Sequence, residues 1–257
     1  MPTVPELVAQ WRDKQLTGTA LMRALVTHPT WTLPISESAA AESLATNAVS
    51  RLQYNRTPEG VNRLMIFSNP ETYSTYRTNS GSTGEQHLVT TTGTWIFRLP
   101  LDAIDQLWID PLTANDIFYD KAQFDRLRRM ADAVEVEEML AGLRHGNAPE
   151  GAIGIVKKYQ NFWIPVGIHE TGMRLVMAPD DKGRSLAAVF TAEDLIDAFI
   201  GLARAHEHGT VEERVMSGEN LFSILNTMPI DGMVFNCNGP VTPVAFAKGF
   251  AQIVCDA

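Results

Sequence analysis

The sequence predicts an α+β fold made of two tandem repeats, each a small mixed β-sheet with helices packed against it. Three observations carry that expectation. Residues 185–209, SLAAVFTAEDLIDAFIGLARAHEHG, read as a buried strand, a Thr191-Ala-Glu-Asp194 capping turn and an amphipathic helix with Leu195, Ile196, Phe199, Leu202 and Ala203 on one face. Residues 63–76 repeat the plan, with Leu64-Met-Ile-Phe67, the cap Ser68-Asn-Pro-Glu71, and Tyr73 and Tyr76 where the later copy has Ile196 and Phe199. Finally, Trp31-Thr-Leu-Pro34 and Phe162-Trp-Ile-Pro165 each place an aromatic residue three positions before a proline.

Taken in order, residues 5–13 suit a short helix with Leu7, Val8 and Trp11 on one side, and 20–28 a second helix stopped by Pro29. The extended 31–35 follows, and 36–60 is a small, polar connection before the 64–67 strand. Beyond the Ser68 helix, Thr78-Asn-Ser-Gly-Ser-Thr-Gly84 has loop chemistry. The β-branched and aromatic runs 87–92 and 94–99 read as strands about Gly93, and Pro100 is expected to open a helix that buries Leu101, Ile104, Leu107 and Trp108. A short strand at 117–119 and a long helix over 124–139 close the first half.

His145-Gly-Asn-Ala-Pro-Glu-Gly151 is rich in breakers and marks a linker. The division is then a helical segment over 1–28, a first repeat over 29–144 and a second over 145–257. Within the second, 152–156 and 159–166 read as strands, 174–177 and 186–190 as a hairpin, and 213–216 as a strand before a helix from Ser217. The last strand is expected at 233–235, followed by the Asn236-Cys-Asn-Gly-Pro240 turn and a closing helix over 244–254.

Composition narrows the function classes. The 257 residues carry a net charge of −9, which opposes nucleic-acid binding, because Lys and Arg cluster only at Arg126-Leu-Arg-Arg129. No apolar run is long enough to cross a bilayer, and MPTVPELVAQWRD lacks the pattern of a signal peptide, so a cytoplasmic location is expected. In that setting Cys237 and Cys255 are expected to be reduced thiols.

The run Ala188-Val-Phe190-Thr-Ala-Glu-Asp-Leu195, the helix start Ser217-Gly-Glu-Asn-Leu-Phe222, and Gly232-Met-Val-Phe-Asn236 with Asn238-Gly-Pro240 resemble the SseB N-terminal domain over about 153–254. The turn departs from that family's Asn-Pro, since Cys237 follows Asn236 and the proline comes at Pro240. The first half fits more loosely, with Tyr119-Asp120 in place of the Asn. The resemblance implies a small α+β bacterial module, single or in tandem, without a catalytic motif and linked to secretion and toxin-associated loci.

Candidate chemistry is sparse. His206-Glu-His208 puts two imidazoles at i and i+2 of a helix, on different sides, so no metal or other cofactor is expected. Asp102, Asp105, Asp110, Asp116 and Asp120 form an acidic series within one repeat and are the candidate partner-binding residues, with a basic protein as the natural partner. The turn residues Asn236, Asn238, Gly239 and Pro240 form the second candidate feature. The first reading is a non-catalytic cytosolic protein-binding module, of secretion-accessory or immunity type. The second is a small-molecule-binding protein or hydrolase that uses Cys237 or the acids near Asp116 and Asp120.

Overall fold

The chain packs as two units, Met1–Ala131 and Asp132–Ala257. This computed structural model describes residues 2–35, 54–83, 86–99, 103–170, 172–180, 182–206 and 210–257. Both units are mixed α+β structures.

Unit 1 begins with two capped helices. In α1 (Val4–Arg12) the Thr3 hydroxyl accepts from the Glu6 amide while the Glu6 carboxylate accepts from the Thr3 amide; in α2 (Gly18–Val26) Thr17 caps Ala20. Strand β1 (Trp31–Ile35) pairs antiparallel with β4 (His87–Thr91). A second sheet has the order β2 (Tyr54–Arg56), β3 (Asn62–Ile66), β5 (Gln106–Ile109), β6 (Ile117–Asp120). Its central pair, β3 and β5, is parallel, and both flanking pairs are antiparallel. A parallel pair needs a crossover, which here runs through α3 (Pro70–Ser80), β4 and α4 (Gly93–Phe97). Helix α5 (Lys121–His145) then leads from unit 1 into unit 2.

The order in unit 2 is the same. After α5 come α6 (Ala152–Lys158) and β7 (Phe162–His169), which pairs antiparallel with β11 (Thr210–Met216) and also with β8 (Gly172–Leu175). The larger sheet runs β9 (Met177–Pro179), β10 (Ser185–Val189), β12 (Gly232–Phe235), β13 (Val244–Ala247), again with a parallel centre and antiparallel flanks. The crossover passes through α7 (Glu193–His206), β11 and α8 (Gly218–Thr227), and α9 (Gly249–Asp256) ends the chain.

The two units match in detail. An isolated antiparallel bridge joins Thr32 to Phe67 in one and Trp163 to Phe190 in the other. In unit 1 the Asn62 amide donates to the Asp105 carboxylate and the Asp105 amide to the Asn62 carbonyl; Ser185 and Asp231 exchange the same pair of bonds in unit 2. Aromatic packing repeats too. Trp31 meets Phe97 edge-on at 6.2 Å, and Phe97 meets Phe124; Phe162 meets Phe222 at 5.8 Å, and Phe222 meets Phe250.

Several sequence expectations are corrected. Residues 152–156 are helix α6 and 94–97 lie in α4, because both runs are apolar and too short for periodicity to separate strand from helix. Where a helix was expected after Pro100, Gln106–Ile109 is the central strand β5, its Leu107 and Ile109 buried in the sheet; residues 100–102 lie outside the described set. The expected helix over 244–254 is strand β13 followed by α9. By contacts, the two units meet inside α5, between Ala131 and Asp132. Most of the polar connection 36–60, namely 36–53, is outside the described residues, as are Gly84 and Glu85 of the loop.

Two glycines show why the helix corners close as they do. The Gly93 amide donates to the His28 carbonyl at 3.0 Å, and the Gly218 amide to the Tyr159 carbonyl at 2.7 Å, so α4 starts against the C-terminal end of α2 and α8 against that of α6. A Cβ at Gly218 would lie 2.5 Å from the Val156 and Lys157 carbonyl oxygens, and one at Gly93 would overlap those of Leu25 and Val26. Gly93→Ala and Gly218→Ala are therefore expected to cost more than about 2 kcal/mol each in urea unfolding. Gly154→Ala, in α6 with open space around it, is expected to be neutral or to stabilise by up to about 1 kcal/mol.

Candidate functional site

In each unit the end of the central parallel pair is locked by a polar node. The residue after β5 is Asp110, fully buried and in the left-handed region at φ 47°. Its carboxylate accepts from the Ser68 amide and from the Ser68 hydroxyl, both at 2.7 Å. After β12 stands Asn236, at φ 57°, whose Oδ1 accepts from the Thr191 amide at 3.0 Å. Thr191 has one hydroxyl hydrogen, and the 2.6 Å contact to Glu137 Oε1 takes it in preference to the 3.2 Å approach to Asn236 Oδ1. Ser68 and Thr191, expected as helix caps, thus tie two strand ends together instead. The cap of α3 is Asn69, one residue later.

Burial pushes the Asp110 carboxyl above its ordinary range, and the Ser68 bonds and His28 offset this only in part. His28 lies beside this node, its ring edge-on to Trp31 at 5.1 Å and its buried Nε2 without a hydrogen bond. In unit 2 Tyr159 occupies the matching position and its hydroxyl donates to the Thr191 carbonyl at 2.6 Å.

The Asn236 node borders a depression of about 540 Å³ in unit 2. One wall is α5, which contributes Val134, Glu137, Ala141 and Arg144 at helical spacing; the other is the chain from Val241 into β13. A second depression of about 450 Å³ lies between Leu143, Ile153, Phe250 and Ile253. Val244 and Ala245 face the first depression and Phe246 and Ala247 the second, so the two adjoin along β13. Beneath them Phe246 stacks on Phe250, ring centroids 3.9 Å apart. In the described sheet β13 is an edge strand. The 540 Å³ depression falls within the roughly 300–1,000 Å³ of small-ligand sites.

The acidic series is distributed among structural bonds. Asp105 accepts from the Asn62 amide and Asp110 from Ser68. Asp116 lies 3.8 Å from the Arg12 guanidinium and accepts weakly from the Trp108 indole, while Asp120 caps α5 through the Gln123 amide at 2.8 Å. Asp116 and Asp120 stand at opposite ends of extended β6, roughly 13 Å apart, beyond the spacing of about 6.5–9.5 Å at which paired carboxylates run hydrolysis. Asp102 lies outside the described residues, as do Glu207 and His208. No group of three or more metal-ligating side chains forms among the described residues.

The 236–240 turn is held by Asn236 and Asn238, both left-handed, and by Gly239, where a Cβ would press to 3.3 Å from Leu195. Cys237 within it is a free, buried thiol pushed up to about 11 by desolvation. No described helix is long and apolar enough to cross a membrane.

No protein-family model matches this chain, and no curated protein matches it. Two solved structures are similar in part. Anabaena Tic22, described as a protein-transport protein, has 7% identity over 83% of this chain and 88% of its own, with a TM-score of 0.22. Tic22 from Plasmodium falciparum has 8% identity over 78% and 84%, with a TM-score of 0.18. At those scores the likeness carries no argument.

Two measurements check this geometry. The folded state holds the Asp110 proton more tightly than the unfolded chain, so that contribution is full at low pH and is lost as pH rises through the raised folded value. Asp110→Asn, which copies Asn236, is expected to abolish this loss in urea unfolding across pH 4–7 and to be no less stable than wild type at pH 7. With an alkylating probe at pH 7.5, half-exposed Cys255 is expected to react readily and buried Cys237 only as the protein unfolds.

Proposed function

We propose that this protein is a non-catalytic cytoplasmic protein-binding module of the SseB type, with its partner held along the β13 edge of unit 2. The observation that carries the reading is the pair of adjoining depressions between α5, β13 and α9, largely apolar and bordered by an edge strand. An extended segment suits this shape, because strand addition satisfies the edge while alternate side chains enter the depressions. The occupant is an apolar segment flanked by basic residues, because the whole chain carries a charge of −9, although the α5 wall itself mixes Glu137 and Glu138 with Arg144 and His145. The hydrolase reading is disfavoured by Cys237, whose buried neutral thiol is the opposite of an activated nucleophile. A secretion-accessory or immunity role is the form of partner binding we infer.

The test is capture from host lysate at low and near-physiological salt with wild type, Ile253→Asp and Leu202→Asp. Ile253 lines the second depression and Leu202 lies on α7; they are 54% and 53% exposed, so neither change threatens the core. A basic protein retained by wild type and Leu202→Asp, weakened by salt and at least about tenfold weaker on Ile253→Asp, supports the reading. Equal retention by all three would refute it.

A further inference from the structure

Unit 1 and unit 2 close the same corner with different chemistry. In unit 2 the three corner side chains are themselves uncharged: the Tyr159 hydroxyl reaches the Thr191 carbonyl, the Thr191 amide bonds to the Asn236 side chain, and the Thr191 hydroxyl is held by the Glu137 carboxylate at 2.6 Å. In unit 1 the same three places hold His28, Ser68 and Asp110. An imidazole is shorter than a phenol, and Nε2 stays buried short of any partner with bonding geometry, although the Ser68 backbone lies close to the ring. The His28 carbonyl meanwhile receives the first amide of α4. Whatever moves His28 therefore loosens the junction of α2, β1, the β3–α3 turn and α4 together.

We propose that His28, Ser68 and Asp110 form an acid-sensitive latch that opens the α2–β1 corner of unit 1 when the His28 ring is protonated, while the Tyr159–Thr191–Asn236 corner of unit 2 stays shut.

A proton on Nε2 puts a charge in a buried place, where the Ser68 backbone and Asp110 offset the lost hydration only in part. Asp110, across the corner, is the charged group that acts on the ring. Among the surrounding elements, the last turn of α2 carries Arg23, the first turn of α3 carries Glu71, Arg98 caps the end of α4, and β1 brings no charge. Burial holds the His28 ring below the usual imidazole range, with Ser68 and Asp110 offsetting it in part. The sign follows. The open form takes the proton more readily, so the latch is intact above about pH 6.5 and weakens as pH falls below it. Asp110 titrates with the opposite sign, so the His28 contribution is read as a difference between variants.

Hydrogen exchange of the Gly93 amide, bonded to His28, reports unit 1, and that of the Gly218 amide, bonded to Tyr159, reports unit 2. Opening constants, corrected for intrinsic exchange, are compared at pH 7.5 and 5.5 for wild type, His28→Gln and His28→Tyr. The wild-type Gly93 constant is expected to rise by up to about tenfold relative to either variant, the advantage of an ordinary imidazole one unit below its pKa. Gly218 is expected to show no such rise. The proposal is overturned if the Gly93 ratio between wild type and the folded variant does not change with pH, or if Gly218 follows Gly93. Either variant alone suffices, should the other not fold.

Discussion

The fold depends on a side chain that spans the open end of a parallel strand pair. Parallel neighbours are not joined by a turn, so nothing local fixes where they end. Here a left-handed residue just beyond the second strand turns its side chain back to the second residue beyond the first, as Asp110 does to Ser68 and Asn236 to Thr191. Short polar side chains bear that conformation at low cost. The bond also fixes the start of the crossover helix, which begins within two residues of Ser68 and Thr191.

That constraint places the groove. Asn236 leaves β12 in the left-handed conformation, the chain passes through the 236–240 turn, and β13 returns antiparallel to β12 as the sheet edge. Glu137 of α5, bonded to the Thr191 hydroxyl, pins the helix to the same node, so the wall and the edge strand of the depression are set by one set of bonds. The lining of the depression and the folding device thus share side chains, Glu137 and Asn236 among them.

Much of the fold is legible in the sequence, and the losses have definite causes. Strand-to-helix passages at 64–80 and 186–206 are plain because a short buried run is followed by a capping Asn69-Pro70 in the first and by a long amphipathic run in the second. The runs 152–156, 94–97 and 106–109 are not, since five or so apolar residues suit either state and the choice rests on what they meet. Gly93 and Gly218 mark the α4 and α8 starts for a reason no local pattern states, a close approach to carbonyls of another helix. Of the candidate site, the 236–240 turn was visible. The groove was not, because its walls come from residues about a hundred positions apart. Nor were the tasks of the aspartates, whose partners lie up to 104 positions away in sequence.

The crossover also sets a timetable for synthesis. Arg63 and Gln106 face each other across 43 positions, and Ser185 and Asp231 across 46. During translation β3 and β10 can pair with β2 and β9, but the other edge of each must wait unpaired until the whole crossover has left the ribosome. Such long-range closures are slow and leave strand edges open to stray pairing. Because both nodes are internal to their own unit, the first sheet has every strand it needs before β7 has been made. The nascent chain thus exposes one unfinished sheet at a time.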